Sequence, residues 1–152
     1  MDQLEPLAVE LKQQGYNVFT LSFSGHGQTP FATNFSIEQF ALELDQFIKE
    51  KNLDKPTVFG YSMGGYVALY VAHQQPTLLG NIITLGTKFE WNPEIAQKEV
   101  KMLDSQTIIE KVPKFAEALQ KRHGQDWELL LQKTAEMMLS LGNKNALSLN
   151  DF

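Results

Sequence analysis

Gly60-Tyr61-Ser62-Met63-Gly64 sets a hydroxyl between two glycines, where the apolar run Thr57-Val58-Phe59 gives way to a second apolar stretch, Tyr66 to His73. A serine hydroxyl attacks a carbonyl carbon when a neighbouring base takes its proton and amide donors stabilise the oxyanion that forms. The pattern G-x-S-x-G is short, and its context makes it informative: a strand before it and a helix after it are what its mechanics require. A turn this tight is expected to need residues without bulk at both ends, hence glycine at 60 and 64. Ser62 is then held in a strained conformation with its hydroxyl standing clear of the chain. The backbone N–H of Met63, opening the helix, is the expected oxyanion donor, assisted by the helix dipole. Two phosphate-binding readings fail. No lysine stands where G-x-x-x-x-G-K-[ST] needs one, and Gly60 to Gly65 does not supply G-x-G-x-x-G. A plain buried serine in a glycine-rich turn is the competing structural reading.

The elements around this turn follow from periodicity. Leu4, Leu7, Ala8 and Leu11 share one helical face, with Asp2 as cap, Pro6 in the first turn and Gly15 at the end. Val18 to Phe23 reads as a strand closed by Ser24-Gly25-His26-Gly27-Gln28-Thr29-Pro30. Ser36 and Gln39 form a capping box, Phe35 staples onto Phe40, and Ile37, Phe40, Ala41, Leu44, Phe47 and Ile48 make one apolar stripe. Thr57 to Gly60 and Asn81 to Gly86 are the second and third strands. Alternation at this spacing implies parallel strands joined by crossovers. From Asn92 onward the pattern is helical only. Pro93 and Pro113 sit near helix starts, Gly124 and Gly142 near helix ends, and Asp126 is a possible cap.

Val58-Phe59-Gly60-Tyr61-Ser62-Met63-Gly64-Gly65 is similar to the nucleophile strand and elbow of the α/β-hydrolases of the esterase, lysophospholipase and aminoacrylate-hydrolase type. Phe23-Ser24-Gly25-His26-Gly27-Gln28-Thr29 resembles the glycine-rich loop after an earlier strand of that family, at the family's usual separation. The likeness covers residues 1 to about 90. It implies an α/β fold class, a partial α/β-hydrolase core over 1–88 and a helical cap over 89–152. The implied function is serine hydrolysis of a small carboxylic ester, thioester or amide through an acyl-enzyme on Ser62. A non-catalytic binding module of the same fold is the alternative. Serine at the elbow weighs against haloalkane and epoxide chemistry, which usually place an aspartate there. Tyr61, Trp91, Phe115, Met137 and Met138 are candidates for an apolar substrate pocket above Ser62.

In this fold the partners of the nucleophile follow in the order serine, acid, histidine. The sequence has three histidines. His26 precedes the serine and belongs to the loop. His73 lies on the elbow helix, on the order of 16 Å from Ser62 at ~1.5 Å per residue, beyond proton transfer. His123 ends a cap helix and is expected on the surface. Glu90 follows the third strand with no histidine to orient, and Asp151 precedes any strand that would present it. The resemblance also implies a strand and a His-Gly loop directly before the first helix, lying between the strands at 18–23 and 57–60 and supplying a second oxyanion donor. The expectation is therefore the middle of a longer hydrolase, cut at both ends, with a gap between exposed strand edges.

Composition bounds the rest. The 152 residues are 43% hydrophobic and 20% charged, with no cysteine, which fits one globular domain without disulfides or thiolate metal sites. A formal net charge of −5 argues against a general nucleic-acid binder. No apolar run is long enough for a membrane span, no signal peptide is apparent, and the expected location is cytoplasmic. No cofactor or metal is expected, because the histidines and carboxylates form no ligand spacing. The expected partner is a small ester-type substrate, with neither nucleic acid nor membrane.

Overall fold

The computed structural model describes residues 3–148 and 151. The chain runs α1 (Glu5–Gln13), α2 (Ile37–Glu50), β1 (Val58–Tyr61), α3 (Met63–Gln74) and β2 (Ile82–Leu85). It then continues through α4 (Pro93–Val100), α5 (Ser105–Lys111), α6 (Pro113–His123) and α7 (Trp127–Asn143). The α/β class expected from the alternation is the class observed. β1 and β2 pair in parallel, Val58 opposite Ile82 and Tyr61 opposite Leu85, with α3 as the crossover.

α2 forms as its sequence dictates. Ser36 Oγ accepts from the Gln39 N–H at 3.2 Å, and Phe35 meets Phe40 edge-on with ring centroids 4.9 Å apart. The reciprocal half of the capping box is absent: the Gln39 side chain donates instead to Glu43 Oε1 at 3.1 Å. Ile37, Phe40, Ala41, Leu44 and Ile48 are buried against Tyr66, Val67, Ala68 and Val71 of α3. Met137 and Leu141 of α7 complete this core, so the packing crosses the boundary drawn between strand-bearing and all-helical sequence. A second cluster of Ile108, Leu119, Trp127 and Leu131 holds α5, α6 and α7 together.

Two local expectations are corrected. Residues 18–23 are not a strand: they form no ladder among the described residues. Leu21 and Phe23 pack on the α2–α3 core, with Phe23 stacked on Phe40 at a centroid separation of 5.0 Å, and the Phe23 carbonyl accepts from the His26 N–H at 2.9 Å. Strand assignment requires a hydrogen-bonded neighbour, which side-chain patterning cannot provide. Asp126 occupies the N-cap position of α7 but makes no capping bond, because a 3₁₀ turn over Gly124–Asp126 already leads into the helix. Asp104 is a cap the sequence reading passed over; its carboxylate accepts from the Thr107 N–H at 2.7 Å. Asp2, the expected cap of α1, falls outside the described residues. No helix among the described residues is long and apolar enough to cross a membrane.

Candidate active site

β1 delivers Ser62 and α3 receives the chain at Met63, with nothing between them. Ser62 sits at φ +52° and ψ −120°, a positive φ that a residue with a Cβ adopts only when its surroundings enforce it. Three hydrogen bonds to its backbone do so. The Ser62 N–H donates to Leu85 O at 2.8 Å, extending the ladder one residue past β1, and the Gly65 N–H donates to Ser62 O at 3.1 Å. Thr87 Oγ1 donates to the same carbonyl at 2.8 Å. The Ser62 side chain is exposed, so the buried-serine reading does not hold.

Space explains two of the glycines. A Cβ on Gly60 would lie 2.4 Å from both Cα and N of Gly65, and one on Gly65 would lie 2.1 Å from Thr87 Oγ1. β1 and the first turn of α3 therefore touch through bare backbone. Gly64 differs from its expected role: a Cβ there would meet nothing within 4 Å. The close approach falls at 60 and 65 because those residues face each other across the turn, while 64 points away from the strand. The doubled glycine was the signal in the sequence, and the second member is the one under constraint.

The Ser62 turn opens on a cavity of about 1240 Å³. Its walls include Met63, the segment at 16–23, and the edge of β1 that β2 leaves unpaired. Tyr61, Trp91, Met137 and Met138 line it. Phe115 does not. It stands on α6 at 50% exposure, turned away from the Ala116 and Leu119 face that packs inward, so it is no part of the pocket.

The histidines are distributed unlike the sequence expectation. His26 is packed between aromatic rings, stacked on Phe35 at 5.8 Å and edge-on to Phe40 at 5.8 Å. Burial lowers its pKa below 6.5, opposed by a hydrogen bond to Ser24 O and by the charge of Glu43. Glu43 fixes this loop by accepting from Ser24 N–H at 2.9 Å and from Ser24 Oγ at 2.7 Å. His123 is not a free surface residue: its Nδ1 accepts from the Gly27 N–H at 3.0 Å, across 96 residues of sequence. Both rings line the cavity. His73 stands away from it, 3.3 Å from Asp151 Oδ1. Among the described residues no imidazole is hydrogen-bonded to Ser62 Oγ, and no group of three or more His, Asp or Glu side chains is arranged to hold a metal ion. Met63 N–H, the first donor of α3, has no acceptor within the helix, and the Ser62 side chain does not cap it.

A parallel strand pair, a strained serine at a strand–helix junction and a cavity over it define one class of protein, and comparison with known proteins agrees. The family model described as "alpha/beta hydrolase fold" matches residues 2–137, and the chain belongs to that family. Its sequence is 28% identical over 111 residues to the "Probable alcohol acetyltransferase" of Wickerhamomyces anomalus, covering 73% of this chain and 31% of that protein. It is 31% identical over 78 residues to "Ethanol acetyltransferase 1" of Hanseniaspora uvarum, covering 51% of this chain and 23% of that one. The chain thus spans about a third or less of the length of these relatives. Among solved structures, a "Marine microorganism esterase" shares the fold with a TM-score of 0.65 at 20% identity, over 93% of this chain and 64% of that one. An extracellular α/β-hydrolase from a Paenibacillus species aligns with a TM-score of 0.53 at 26% identity, over 66% of this chain and 44% of that one.

Proposed function

We propose that the protein is a serine hydrolase that cleaves small carboxylic esters, thioesters or amides through an acyl-enzyme on Ser62. The observation carrying this reading is the conformation of Ser62: positive φ, an exposed hydroxyl and a position at the mouth of an apolar-lined cavity. Strain of this kind is retained where surrounding structure enforces it, and it clusters at functional sites. Ser62 Oγ attacks the carbonyl carbon while its proton passes to a base. The resulting oxyanion accepts from Met63 N–H, and collapse expels the protonated alcohol, thiol or amine. Water then attacks the acyl-enzyme, releasing the acid and restoring the hydroxyl. Tyr61, Trp91, Met137 and Met138 give the acyl or leaving group an apolar wall.

A second reading is favoured by the relatives named as acetyltransferases: the acyl-enzyme passes its acyl group to an alcohol in place of water. The two share every step up to the acyl-enzyme and differ only in the acceptor.

A fluorophosphonate probe tests the shared step. Stoichiometric labelling that disappears in Ser62→Ala is the expected result. Complete inertness of the native protein counts against the acyl-enzyme and leaves a binding module of the same fold or an inactive fragment. With p-nitrophenyl acetate as donor and added ethanol, ethyl acetate among the products marks transfer, and acetate alone marks hydrolysis.

A further inference from the structure

The Ser62–Met63 peptide is one rigid unit with two working ends. Its N–H is the proposed oxyanion donor, and its C=O is the carbonyl that accepts from Thr87 Oγ1 at 2.8 Å. The chain contains no cis peptide bond among the described residues, so C=O and N–H of this unit point in opposite directions in one plane. Whatever fixes the carbonyl therefore aims the N–H.

Thr87 reaches this carbonyl through the geometry that follows β2. Gly86 turns the chain at φ +64°, returning residue 87 beneath the elbow. Gly65 leaves room for the hydroxyl, since a Cβ there would lie 2.1 Å from Thr87 Oγ1. The other donor to Ser62 O is the Gly65 N–H at 3.1 Å, a bond within the first turn of α3. Thr87 alone ties the peptide to a different element. Donation to a carbonyl also polarises the peptide and strengthens its N–H as a donor.

We propose that Thr87 is a positioning residue: its hydroxyl clamps the Ser62 carbonyl and so holds the Met63 N–H in the direction an oxyanion needs. The role rests on the acyl-enzyme reading of Ser62. Deleting an oxyanion donor outright typically costs about 10²–10³-fold in kcat. Loosening a donor that stays in place should cost less, about tenfold.

The test compares the native protein with Thr87→Val, Thr87→Ala and Thr87→Ser on p-nitrophenyl acetate. Val and Ala should lower kcat about tenfold with KM within about twofold, since the donor acts on the transition state. Ser, which keeps the hydroxyl, should restore most of kcat. The Ala variant removes the hydroxyl without adding a methyl, so it supplies the measurement if Val perturbs folding. An unchanged kcat in a folded Ala variant, or a Ser variant as slow as Ala, overturns the proposal. An amide spectrum separates this failure from failure of the acyl-enzyme reading. The Met63 N–H resonance should move in Thr87→Ala and stay in place in Thr87→Ser, whether or not Ser62 reacts. If it is unmoved in Ala, Thr87 does not orient that peptide; if it moves in a protein inert to fluorophosphonate, the clamp exists and the hydrolase reading fails.

Discussion

At the scale of single residues, the turn at Ser62 depends on which atoms have no room rather than on how many glycines stand in a row. Gly60 faces the backbone of Gly65, which cannot swing aside as a side chain would. Gly60→Ala should therefore cost more than about 2 kcal/mol, in the range of overpacked or strained core positions. Gly64 lies in the first turn of α3 facing open space. Gly64→Ala should be neutral or stabilising by up to about 1 kcal/mol, following the helix preference for alanine. Urea unfolding of the two variants, alike in composition and four residues apart, checks both signs. Equal losses would mean that the turn is closed by something other than the Gly60–Gly65 contact. The sequence made glycine at 60 and 64 expected, but a one-dimensional motif does not reveal which Cβ position faces a neighbouring backbone.

Elements decide what the histidines do. α6 ends at His123 with Gly124 at φ +76°, and the imidazole reaches the loop that carries Gly27. The Gly27 N–H donates to Nδ1, so this nitrogen must be unprotonated, and the bond joins α6 to a loop of the strand-bearing half. His123→Ala should lower stability by about 1 kcal/mol, the net value of one such bond. Deuterium uptake should rise over 24–29 and 113–123 while α2 is unaffected. Uptake unchanged over both segments would show that the α5–α7 cluster alone seats α6. Pro113 and Gly124 marked the ends of α6, and turn chemistry marked the loop. Their meeting was invisible to such local signals, because a hydrogen bond spanning 96 residues leaves no trace in local spacing.

The whole molecule shows the balance in its dependence on pH. His26 is enclosed by Phe35 and Phe40, with burial holding its pKa below 6.5. A depressed folded-state pKa means that the unfolded chain binds the proton first. The contribution of neutral His26 is thus fully present above pH 6.5 and is lost as the pH falls through the folded-state value. Glu43 acts the other way, favouring the protonated ring, so the net effect is the remainder of two opposed influences. The midpoint of thermal unfolding should fall between about pH 6.5 and 5, and His26→Gln should flatten that slope. A slope unaltered by the substitution would assign the acid sensitivity elsewhere. Apolar surface adds to the global picture: Ile83 and Leu85 of β2 are 52% and 54% exposed, unlike the covered faces usual for parallel strands.

The sequence by itself determined the local grammar of this protein. It marked the apolar strand that ends at a serine, the glycines that allow the bend, the capped stripe of α2, and the change from mixed to helical chain near residue 88. These follow from period, propensity and turn chemistry, all of which act over a few residues. Tertiary structure alone decided that 18–23 has no ladder, that Gly65 and not Gly64 makes the close contact, that Phe115 faces away from the cavity, and that Thr87 holds the Ser62 carbonyl. Each of these depends on which atoms from distant parts of the chain come within about 3 Å, a distance that hydrogen bonding and excluded volume set only after the elements have packed.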